Sequence, residues 1–126
     1  MKTVLIIMAG GGIGAALRHL VGRGAIAITG GALPWGTLAV NVAGGLAMGL
    51  LAGFLARFGS GTGHDLRLFL GTGLLGGFTT FSAFSLEAAN MIERGQIGLA
   101  AGYAIGSVVL SIAALFAGLS LVRGFA

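Results

Sequence analysis

The chain has 126 residues, of which 56% are hydrophobic and only 8% charged, whereas soluble domains carry about a quarter charged residues. A water-soluble globular fold is therefore not expected. A bilayer core about 30 Å thick takes about 20 apolar residues per helical crossing, so this length supplies four spans and leaves no room for a separate soluble domain. The net charge of +4 comes from cations placed singly between apolar runs. No basic patch interleaved with aromatics exists, so no nucleic-acid partner is expected. The absence of cysteine excludes disulfides, thiol catalysis and thiolate metal sites.

The first predicted span runs from about Thr3 to Val21. Met1-Lys2-Thr3 followed by an apolar run has the layout of a signal peptide, but Arg18 and His19 stand where a small-residue cleavage site belongs. Removal would also leave only three spans. Gly10, Gly14 and Gly22 share an i+4 stripe with Arg18. Arg18, near the inner end of this span, either snorkels or lines a vestibule in which its field concentrates anions.

The second span covers about Trp35 to Phe58, after the loop that holds Pro34. Gly45, Gly49 and Gly53 continue the line of Thr37 and Asn41, a small-residue ridge suited to close helix approach in lipid. Asn41 is the strongly polar side chain within this apolar segment, and it needs a partner there. Interhelical glue and a cavity-lining role both remain open.

The third span, from about Leu66 to Arg94, is the irregular one. Its centre, GGFTTFSAFS from Gly76 to Ser85, combines two glycines, four hydroxyls and three phenylalanines. The glycine pair costs about 2 kcal/mol of helix propensity relative to alanine, and β-branched Thr79 and Thr80 add to it, so residues 76 to 85 are expected to unwind. Backbone that leaves the helix at membrane depth is tolerated only inside protein or beside a water-filled cavity. Such a break exposes carbonyls on one side and amides on the other. Thr79, Thr80 and Ser82 then either cap free amides or cap and coordinate an ion as well. Phe78, Phe81 and Phe84 recur at i+3 and are expected along one side of the second half. Their positive ring edges beside hydroxyl donors suit an anion better than a cation. Glu87 follows directly as a candidate arginine partner or proton-sensing group.

The fourth span covers about Ile97 to Val122, with a second ridge at Gly98, Gly102 and Gly106 and a hydroxyl stripe at Tyr103, Ser107 and Ser111. Four crossings put Lys2, Arg57, Arg67 and Arg123 on one side and Arg18, Arg23 and Arg94 on the other. The positive-inside rule has almost nothing to act on. Insertion in both orientations, with pairing into an antiparallel dimer, is one expectation; a single weakly specified orientation is the other.

The segments GAALRHL around Arg18, WGTLAVNVAGG from Trp35 to Gly45 and GTGLLGGFTTFSAFSLE from Gly71 to Glu87, in this order and spacing, resemble the CrcB/Fluc fluoride channels over essentially the whole chain. The resemblance implies an all-α, four-helix membrane protein with its third helix broken near the centre. It also implies an antiparallel dual-topology homodimer in the bacterial inner membrane, with two pores that let fluoride leave the cytoplasm passively. Asn41 would be the family's pore asparagine, with Phe81 and Phe84 its fluoride-contacting phenylalanines. Thr80, Ser82, Tyr103, Ser107 and Ser111 would complete the fluoride path, and Arg18 would stand at the vestibule. The backbone carbonyls of Gly76 and Thr79 would hold a structural sodium ion shared by both subunits. Phe78 and Ala83 depart from the family pattern, where an aliphatic residue and a threonine are common, and Ala83 would remove a pore hydroxyl.

The alternative of another class is a small multidrug-resistance-type exporter, which needs an intramembrane carboxylate. The first two spans hold none, and Asp65, Glu87 and Glu93 are the only acids. A non-transporting assembly subunit would leave the glycine ridges as the whole story. An enzyme is not expected, since His19 and His64 lack partners at metal spacing and no serine lies in a nucleophile elbow.

Overall fold

The computed structural model describes residues 1–31, 33–58 and 64–124. Its described residues form helices joined by short turns. The first helix, α1 (Lys2–Thr29), has 28 residues and is roughly 42 Å long at 1.5 Å per residue. It runs well past the expected end at Val21. Gly22 and Gly24 do not stop it, and Gly22 packs on the start of the next helix. A methyl carbon at Gly36 would lie 2.9 Å from the Gly22 Cα. The stop is Gly30, whose left-handed backbone (φ 83°) lets its amide reach the Ile26 carbonyl.

Helix α2 (Trp35–Phe58) follows the proline turn. The third span is composite. It contains a single turn α3 (His64–Arg67), a wide π-helical stretch (Leu68–Leu75) and a last turn α4 (Gly76–Phe78). Thr79 then leaves the helix in extended conformation (φ −81°, ψ 158°), and α5 (Ser82–Glu93) begins three residues later. Helix α6 (Ile97–Gly124) completes the chain after a turn at Gly95 (φ 80°).

The third helix is thus interrupted near its centre, but over a shorter stretch than residues 76 to 85. Gly76 and Gly77 stay helical, as do Ser82 to Ser85. The reason is packing. A methyl carbon on Gly77 would overlap the Gly11 carbonyl oxygen, and one on Gly14 would overlap the Leu74 carbonyl oxygen. The glycines let α1 and the third span touch backbone to backbone, and that contact offsets their poor helix propensity. The π-helical turn had no sequence signal. It runs through Gly71 and Gly73, where the wider helix presses on α1: a methyl carbon at Gly73 would stand 3.1 Å from the Gly10 Cα.

Two close pairings organise the bundle, α1 against the first half of the third span and α2 against α6. At Gly45 a methyl carbon would stand 2.6 Å from the Ser111 carbonyl oxygen, and at Gly118 2.5 Å from that of Leu46. Among the described residues the buried apolar side chains are few, namely Val40, Leu55, Met91 and Ala100. Large apolar side chains instead face outward along every span, including Leu5, Ile13, Phe54, Ile105, Val109 and Phe116. Four helical segments, Lys2–Thr29, Trp35–Arg57, His64–Glu93 and Ile97–Gly124, are long and apolar enough to cross a membrane. For such helices the acyl chains are the solvent that makes outward leucines stable. Lys2 pairs with Asp65 at 2.9 Å, so the N-terminus and the start of the third span share one end of the bundle, as four crossings require.

Candidate functional site

The break is held by side chains from both neighbouring helices. From α2, Asn41 donates its Nδ2 to the Thr80 carbonyl at 3.0 Å and accepts the Thr80 amide on Oδ1 at 2.8 Å. Its side-chain amide thereby acts as a substitute peptide for a residue that has left the helical ladder. This satisfies both backbone groups of Thr80 in a setting where an unpaired one costs several kcal/mol. From α1, Arg18 donates Nε to the Gly77 carbonyl at 3.1 Å. Arg18 lies inside α1 rather than near its end, because the helix continues to Thr29.

The hydroxyls of the break serve the backbone first. Thr79 donates Oγ1 to the Leu75 carbonyl at 3.0 Å. Thr80 accepts the Ala83 amide on Oγ1 at 3.2 Å and so caps the start of α5. Ser82 Oγ is 3.4 Å from Thr80 Oγ1. Among the described residues, the carbonyls of Gly76 and Thr79 accept no hydrogen bond, and neither does that of Phe78.

Beside the break lies a cavity of about 430 Å³ lined by Asn41, Thr79, Thr80, Phe81, Phe84, Ser107 and Ser111, with Gly44, Gly45, Met48 and the aliphatic side chains of α6 completing the wall. It brings together seven of the residues singled out from the sequence. Arg18, Gly76, Ser82 and Tyr103 are not in its lining. Phe81 and Phe84 meet in a tilted arrangement at 5.5 Å between ring centroids, and Phe84 meets Tyr103 at 5.2 Å. Phe78 does not join them along one side, because the break separates it from α5. It stays on α4, where its backbone amide faces Gly14 and its ring faces Gly44. Phe81 is 76% exposed. Ser107 is only 5% exposed, and its hydroxyl has no hydrogen-bond partner.

A second polar cluster lies beyond Phe84, and the sequence alone points to it only in part. Glu87 accepts from Thr37 Oγ1 at 2.5 Å on one oxygen and from Tyr103 Oη at 3.3 Å on the other. The Tyr103 hydroxyl is thus committed to Glu87, while its ring packs on Phe84. Glu87 and Thr37 also line a neighbouring cavity of about 260 Å³ with Asn90 and Arg94. The available signals were spacings: Thr37 stands one helical turn before Asn41, and Glu87 one turn after Phe84. No group of three His, Cys, Asp or Glu able to hold a metal occurs among the described residues.

Comparison with known proteins gives the family. The family model for CrcB-like protein, Camphor Resistance (CrcB), matches residues 5–119. The chain belongs to the CrcB family. Among the family's curated members, a fluoride-specific ion channel FluC from Novosphingobium aromaticivorans is 59% identical over 128 residues, covering all of both chains. A protein of the same name from Rhodopseudomonas palustris is 54% identical over 96% of this chain and 97% of its own. A fluoride-specific ion channel FluC 2 from Nitrobacter hamburgensis is 56% identical over 94% of this chain and 95% of its own. With four apolar spans, the chain is a multi-pass membrane protein of this family.

Proposed function

We propose that this chain is a fluoride channel that lets the anion leave the cytoplasm down its gradient, across the bacterial inner membrane. Support comes from the full-length likeness to proteins named fluoride-specific ion channel and from one observation in the cavity. Two of its lining residues keep an unused donor: Ser107, whose buried hydroxyl has no partner, and Asn41, which has spent only one of its two N–H groups on Thr80. Fluoride holds its water strongly and passes only where donors replace that water. A free hydroxyl and a free amide N–H are such donors, and the ring edges of Phe81 and Phe84 add positive potential without a fixed charge that would trap the ion. Ser111 extends the donor line along α6. Thr80 and Ser82 stand at the mouth beside Phe81, and Tyr103 orients Phe84 from behind.

In this reading two chains pair antiparallel and form two pores. The break then serves a second purpose, because the free carbonyls of Gly76 and Thr79 are the kind of hard oxygen donors a sodium ion takes. These carbonyls would hold that ion, whose charge would neutralise the exposed carbonyl end of the first half-helix. Glu87 accepts one hydrogen bond on each carboxylate oxygen, from Thr37 and from Tyr103, and the first two spans carry no carboxylate of the kind a proton-exchanging exporter needs.

The test is direct. Purified protein in liposomes loaded with fluoride or chloride should release fluoride and retain chloride, as followed by an ion electrode. Silence with fluoride would reject the assignment. Replacing Phe81 or Phe84 by isoleucine should suppress flux by about tenfold or more, the order expected for losing well-placed electrostatic contacts worth about 1.4 kcal/mol, with the oligomer unchanged on size exclusion.

A further inference from the structure

Arg18 stands about 24 Å along α1 from Lys2 at 1.5 Å per residue, and its side chain is half-buried. Among the described residues it pairs with no carboxylate. Its hydrogen bond goes to the Gly77 carbonyl. Gly77 belongs to the final turn before the break, and its carbonyl would ordinarily accept from Phe81. That amide lies past the point where Thr79 turns extended. The side chain of α1 therefore supplies the donor that the backbone can no longer supply. Its placement is fixed, because Gly11 and Gly14, on the same face of α1 as Arg18, lie against Gly77 and against Leu74 and Phe78 in backbone contact.

We infer that Arg18 is a positioning residue for the break, acting through the Gly77 carbonyl rather than as a remote collector of anions. With Gly77 held from α1 and Thr80 held from α2 by Asn41, the two ends of the unwound segment are pinned from opposite sides. The direction in which Phe81 enters the cavity is thereby set. The consequence for transport rests on the channel reading above, but the pinning itself does not.

Glutamine at position 18 separates the two roles, because its Nε2 stands the same number of bonds from Cα as the arginine Nε while carrying no charge. R18Q is expected to keep fluoride flux within about fivefold of the parent, a modest loss in keeping with the size of exposed helix-end charge effects. R18L is expected to lose about tenfold or more, equally at low and high ionic strength. Amide exchange over residues 78–86 in the detergent-solubilised protein should be parental in R18Q and at least about tenfold faster in R18L, as for local opening of an unpinned segment. Equal defects in R18Q and R18L that vanish at salt concentrations where the Debye length falls to about 3 Å would overturn the inference, as would parental exchange in R18L. If R18L is not recovered folded, R18Q and R18K decide: a parental R18Q supports positioning, whereas loss in R18Q with a parental R18K assigns the effect to charge alone. A parent protein silent to fluoride would sink the channel reading and leave the exchange result to judge the pinning.

Discussion

Two glycine ridges of equal spacing lie on helices that pack together, and they end in different surroundings. On α2, Gly45 and Gly49 press against the backbone of Ser111 and Leu115, and Gly53 against the Val122 side chain. On α6, a methyl carbon at Gly98, Gly102 or Gly106 would meet nothing within 4 Å, and the ridge instead lines an apolar cavity of about 290 Å³ with Trp35, Leu38 and Met91. The helix α6 meets α2 through its other half, at Ser111, Leu115 and Gly118. A small-residue repeat therefore marks where a backbone can come close, while the partner helix decides whether it does.

The sharpest way to break this contrast is Gly49→Ala. Its methyl would occupy the space of the Leu115 carbonyl, so α2 and α6 must separate, at a cost of about 3 kcal/mol, the upper range for overpacking a tight interface. Thermal unfolding in detergent should show a clear drop in midpoint, and an unchanged midpoint would mean the interface is looser than described. Thr37→Val tests the polar counterpart. Losing one hydrogen bond to the Glu87 carboxylate should cost about 2 kcal/mol and destabilise the protein less than Gly49→Ala. Equal stability would show that Glu87 does not depend on this bond. The smallest effect is expected from Gly102→Ala, which should be neutral or stabilising by up to about 1 kcal/mol through helix propensity. A marked loss of stability would show that the α6 ridge is covered more closely than described.

The same contrast explains what could be read from the sequence. The four spans were visible because apolar runs long enough to cross a bilayer leave little other choice, and the interrupted third span was visible in GGFTT. The attribution inside that motif was not. Gly76-Gly77 looked like the weak point because helix propensity is local, yet Gly77 packs backbone to backbone on Gly11, 66 positions earlier. Thr79 and Thr80 are where the chain leaves the helix. That Asn41 needs a partner followed from its burial cost, but that the partner is the backbone of Thr80 did not. The Arg18 bond to Gly77 and the Thr37 bond to Glu87 join residues 59 and 50 positions apart, so spacing along each helix marks the residues but not their pairing. The π-helical turn left no pattern in composition at all.

The double bond between Asn41 and Thr80 has a genetic corollary. Holding both an amide and a carbonyl of one residue requires an acceptor and a donor set side by side on one short planar group. Every coding change reachable from an asparagine codon by one nucleotide (to aspartate, serine, threonine, lysine, histidine, tyrosine or isoleucine) lacks that pair in that arrangement. Position 41 is therefore walled off from stepwise drift. A lineage that alters it must first reshape the turn at Thr80, or give up the interruption altogether.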